Sequence, residues 1–180
     1  MPSSQEDLTR LLDPDYLADV DSLTLDDTRR MRAECQEAEA SLSYLRRLIQ
    51  GRLDIVHAYM ERPEGSAAPD LSSVVENLAG ILAGPGRPTG PSRNPVLHSP
   101  DTDQMAELTV ELDAILGADD VARLATLDDA QLSDLAVRLR ELENRVSTER
   151  RGLFDRIDTL QAELVERHKS GNASLDGLLR

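Results

Sequence analysis

From Ser41 to Met60 the chain reads SLSYLRRLIQGRLDIVHAYM, and its apolar residues Leu42, Leu45, Ile49, Leu53, Val56 and Met60 follow steps of three, four, four, three and four. Such steps keep one stripe of side chains on one side of an α-helix, where a second helix can cover it. Upstream, the Thr24 hydroxyl can accept the backbone N–H of Asp27, a carboxylate well placed for the positive end of the helix dipole. Downstream, Pro63 cannot continue the hydrogen-bond ladder and Gly65 follows it. These signals predict one long helix over residues 24–62.

Sliding the chain by 104 residues sets Leu42, Ile49, Leu53, Val56 and Met60 on Val146, Leu153, Ile157, Leu160 and Leu164. The spelling Thr24-Leu25-Asp26-Asp27 also recurs as Thr126-Leu127-Asp128-Asp129, 102 residues on. The repeat predicts a second long helix over residues 126–170, capped by Thr126 and stopped by Ser170-Gly171-Asn172, with residues 171–180 as a loose tail. Residues 1–23 should form a short helical segment, with a helix from Gln5 to Leu12 capped by Ser4 and ended by Asp13-Pro14. Residues 63–102 include GPGRPTGPSRNP and read as a flexible linker, within which Asp70 can cap a short helix near residues 70–83. Thr102 then opens a helix carrying Met105, Leu108, Leu112 and Ile115 and closed by Gly117, so residues 103–125 are assigned to short helices.

Composition agrees with an extended helical protein. Among 180 residues there are one Phe, three Tyr and no Trp, too few bulky rings for a large globular core but no obstacle to a helix–helix seam filled by Leu, Ala, Val and Ile. The formal charge of −14 argues against DNA or RNA as a partner, because that binding rests on neutralising phosphates with Lys and Arg. A basic protein surface suits it better. The arginine doublets Arg46-Arg47 and Arg150-Arg151 are places where a small anion could meet positive charge in an acidic chain. Cys35 is the single cysteine and has no internal disulfide partner, the N-terminal residues lack the layout of a signal peptide, and no apolar run is long enough for a membrane span, so a cytoplasmic location is expected.

Beside the apolar seam runs a second series, Glu39, Ser43, Arg46, Gln50 and Asp54, with steps of four, three, four and four. All five project from one helical face. At the 104-residue offset the series returns as Glu143, Ser147, Arg150 and Asp158, with Phe154 in place of the glutamine. Ser and Gln add little as charge pairs along a helix, and Glu39 has Ser43 rather than a cation one turn on, so the stripe suits ligand recognition better than helix support. The residue types match guanine: Arg can donate to O6 and N7, and a carboxylate can accept from N1–H and the N2 amino group. Ser and Gln could bond ribose or phosphate oxygens, and nearby arginines would offset phosphate charge.

The pattern E-x₃-S-x₂-R-x₃-Q-x₃-D, present as EASLSYLRRLIQGRLD from Glu39 to Asp54 and partly repeated from Glu143 to Asp158, resembles the signature of the RsiG family of actinobacterial anti-sigma factors. The resemblance covers both long helices and the helix–linker–helix plan. It implies an all-α fold, an antiparallel two-helix coiled-coil hairpin; the seam and the long linker by themselves also admit a parallel pairing. It further implies that the two motif copies hold cyclic di-GMP, as a dimer, as a regulatory ligand. The loaded protein would then sequester a sporulation sigma factor of the WhiG, flagellar-like type. Phe154 departs from the pattern and breaks the equivalence of the two copies.

Catalysis finds no constellation here. His57, His98 and His168 fall in separate segments without metal-ligand spacing, Cys35 has no base beside it in sequence, no glycine-rich phosphate loop precedes a helix, and the arginine within the stripe makes it a poor cation site. We therefore expect neither an enzyme nor a metal site. The competing reading is a coiled-coil adaptor or scaffold, in which the seam carries the function and the polar stripe is merely solvated.

Overall fold

The computed structural model describes residues 4–62 and 102–178. In chain order it contains α1 (Ser4–Leu12), short 3-10 helices at Pro14–Leu17 and Val20–Ser22, α2 (Leu25–Met60), α3 (Thr102–Ile115), a 3-10 helix at Ala118–Thr126 and α4 (Asp129–Leu178). Among the described residues there is no strand, and the all-α expectation is met. The expected linker, with its short helix near residues 70–83, lies outside the described residues.

The start of α2 is built as its sequence suggests. The Asp27 amide donates to the Thr24 hydroxyl at 3.1 Å, and that hydroxyl donates to the Asp27 carboxylate at 2.6 Å. This hydroxyl bond holds the Asp27 carboxyl below the usual carboxylate range. The start of α4 differs. Thr126 spends its hydroxyl on the Arg123 carbonyl at 2.7 Å, and Asp128 is the cap: it accepts from the Gln131 amide at 2.8 Å while its own amide donates to the Gln131 side chain at 3.1 Å. The two TLDD spellings diverge because of what lies three residues beyond their third letter. Gln131 can accept a backbone N–H, giving the reciprocal capping box, whereas Arg29 at the matching place in α2 can only donate and bonds the Asp26 carboxylate at 2.9 Å.

At its far end α4 passes through Ser170-Gly171-Asn172 and reaches Leu178. Gly and Asn lower helix propensity by up to about 1 kcal/mol each, yet both keep the backbone N–H that proline removes. No proline follows Lys169, so nothing breaks the ladder there.

The chain divides into a terminal unit, Met1–Leu42 with Thr148–Arg180, and a central unit, Ser43–Ser147. In the terminal unit α2 and α4 run antiparallel, with Arg32 bonded to Gln161 and Glu39 to Arg150. Leu11, Cys35, Leu42, Leu153 and Leu160 form its core. Burial pushes the Cys35 thiol and the Tyr16 phenol upward, so both are neutral near pH 7. The N-terminal segment is fastened along α4 by arginines that collect main-chain carbonyls. Arg156 donates through Nη2 to Leu12 at 2.6 Å and to Asp13 at 3.0 Å, and Arg167 donates to Val20 at 2.7 Å and to Leu23. The Leu12 side chain packs over Gly152, where a Cβ would stand 2.9 Å from its Cδ2. Replacing Arg156 with alanine removes a charged donor from the carboxyl end of α1. Amide exchange in residues 5–12 should then accelerate about ten- to a hundredfold, with residues 132–146 unchanged, as read by hydrogen–deuterium exchange.

In the central unit α2 and α4 are again antiparallel, with Arg46 bonded to Glu143 and His57 to Arg140 at 2.7 Å. The core takes Leu45, Ile49, Leu53, Val56 and Tyr59 from α2 and Leu132, Ala136, Leu139, Leu142 and Val146 from α4, together with Leu112, Leu116 and Leu124. Arg52 fixes the end of α3 by donating to the Leu116 carbonyl and to the Asp113 carboxylate at 2.6 Å. Met60, expected in the seam, is 39% exposed, and Tyr59 is buried instead. With α3 as well as α4 in this unit, the buried arc of α2 is not the narrow stripe that a two-helix seam predicts.

Candidate ligand-binding residues

The polar stripe inherits its position from the seam. Leu42, Leu45, Ile49 and Leu53 turn one side of α2 inward, and Glu39, Ser43, Arg46 and Gln50 follow along the margin of that side, half-buried. On α4 the buried Val146 and Leu153 do the same for Glu143, Ser147 and Arg150.

In the central unit Arg46 Nε donates to Glu143 Oε1 at 2.7 Å, and the Ser147 hydroxyl donates to the same oxygen at 3.0 Å. The Glu143 side chain is 18% exposed. In the terminal unit Arg150 donates to Glu39 Oε1 through Nε at 3.1 Å and Nη2 at 2.9 Å, and the Glu39 side chain is 17% exposed. The guanidinium of Arg150 also lies over the Phe154 ring, 5.4 Å from its centroid. Each pair thus joins the glutamate of one motif copy to the arginine of the other. Such partly desolvated ion pairs are worth more than exposed ones, and removing one partner strands the other.

The expectation that Glu39 lacks a cation is corrected: Arg150, 111 residues away in sequence, supplies it. Spacing of three or four residues registers partners on one helix only, and this partner stands on another. The signal was present in the constant offset, because once Glu39 faces Arg150 the repeat sets Glu143 against Arg46. Asp54 and Asp158 are exposed, as is Phe154, while Ser43 and Gln50 are half-buried. The structure therefore brings together Glu39 with Arg150, and Arg46 with Glu143 and Ser147.

Chemically the two clusters offer directional hydrogen-bonding edges rather than a nucleophile or a cage for a cation. Among the described residues no group of three or more His, Cys, Asp or Glu side chains could hold a metal ion, and no helix is long and apolar enough to cross a membrane.

Paired antiparallel helices carrying reciprocally matched copies of one polar motif define an all-α, helix-pair protein. The chain belongs to the RsiG-like family, whose model matches residues 14–82 and 118–180, and this is a family of anti-sigma factors. No curated protein matches the chain.

Proposed function

We propose that this chain is a cyclic di-GMP-dependent anti-sigma factor that sequesters a WhiG-type sigma factor and withholds it from RNA polymerase. The observation that carries the proposal is the reciprocal pairing of Glu39 with Arg150 and of Glu143 with Arg46. Guanine presents acceptors on one edge and donors on another, so one base can accept from the arginine and donate to the glutamate that now satisfy each other. Two motif copies supply two such sets of side chains, and uptake of the ligand as a dimer follows from the family resemblance. Ser43, Ser147, Gln50, Asp54 and Asp158 complete the set on the same helical faces, serving ribose, phosphate or the remaining donors.

The charge of −14 supports the partner class. Sigma factors present basic DNA- and polymerase-facing surfaces, and an acidic helical protein is their electrostatic complement. Calorimetric titration of the purified chain with cyclic di-GMP tests the nucleotide half directly. Saturable heat is expected, and a flat trace ends the nucleotide reading, leaving an adaptor.

A further inference from the structure

Phe154 is the only phenylalanine in the chain and occupies the position where the second motif copy replaces the glutamine of the first. It remains 44% exposed, although its neighbour Leu153 is fully buried. A single exposed phenylalanine would ordinarily need no explanation. Its setting supplies one. The guanidinium of Arg150 lies 5.4 Å over the ring, and the same guanidinium donates through Nε and Nη2 to Glu39. The arginine is thereby held along one edge by a carboxylate and on one face by a π system, two constraints that fix the plane of the group. Arg46 bonds Glu143 through Nε, and Gln50, one turn beyond it, has no π face to offer.

We propose that Phe154 is a positioning residue, holding the Arg150 guanidinium in the plane from which it reads guanine and making the second motif copy the better prepared of the two. This rests on the reading of the stripe as the cyclic di-GMP-binding set. A side chain already confined to its binding orientation loses less freedom when ligand arrives, so the ring acts through Arg150 on affinity and on base choice. Base choice enters because guanine offers O6 as an acceptor where adenine offers an N6 donor, and only an arginine held in plane exploits that difference.

The test is calorimetric titration of the full chain, comparing the parent with Phe154→Leu and Phe154→Tyr, and with cyclic di-AMP as a competing ligand. Leucine keeps apolar bulk and helix propensity without a π face, and tyrosine keeps the ring. Phe154→Leu should weaken cyclic di-GMP binding about threefold to fivefold and lower the preference for guanine over adenine, while Phe154→Tyr restores both. Unchanged binding by Phe154→Leu overturns the positioning role and leaves the nucleotide reading standing. Equal weakening toward both dinucleotides reduces Phe154 to packing and also overturns the role. A parent chain that binds no cyclic di-GMP removes both readings together.

Discussion

Arg46→Ala and Arg150→Ala should each weaken cyclic di-GMP binding at least about tenfold, and the double variant should give no measurable heat. A bidentate arginine–guanine contact is worth about 1–3 kcal/mol, and each substitution removes one. The structure adds a second effect that must be separated from the first. Glu39 and Glu143 are 17% and 18% exposed, and each loses the cation that now compensates its partial desolvation, so the ligand-free variants should also be less stable by about 1–3 kcal/mol. Arginine-to-lysine variants part the two effects. Lysine retains a positive charge for the glutamate but lacks the planar fork that matches O6 and N7, so stability should largely recover while affinity does not. If Arg46→Ala and Arg150→Ala bind as tightly as the parent, the stripe is not the guanine-reading set.

The second large effect concerns the sigma factor. Immobilised chain should retain a WhiG-type sigma factor at least about tenfold better with cyclic di-GMP than without it, because a ligand moves an equilibrium only through its differential affinity for the two states. Bound nucleotide would also add phosphate charge to a chain already at −14, strengthening its attraction for a basic partner. Added salt should lower the association rate more than it raises the dissociation rate. Equal retention with and without nucleotide would falsify the dependence, and equal retention of an unrelated acidic-surface-binding protein would remove the specificity as well.

What could be read in the residues divides along a physical line. Features set within one helical turn were legible: the Thr24 cap, the seam from Leu42 to Val56, and the common face of Glu39, Ser43, Arg46 and Gln50 all follow from helical periodicity. Features that depend on a second element were not. Met60 gives way to Tyr59 where α3 joins the central unit, and the cation facing Glu39 comes from another helix. The capping of α4 by Asp128 lies between these cases. Gln131 stands three residues after Asp128 as a capping box requires, yet the spelling shared with Thr24 points to Thr126, so a repeated spelling need not repeat a hydrogen bond.

Arg52, Arg156 and Arg167 each close on main-chain carbonyl oxygens. The acceptors are carbonyl oxygens, which every residue type carries, so replacing the side chain at Leu12 or Val20 leaves the receiving atom of the fastening in place. The docking of the N-terminal segment is thereby tolerant of sequence drift at the positions that receive these arginines.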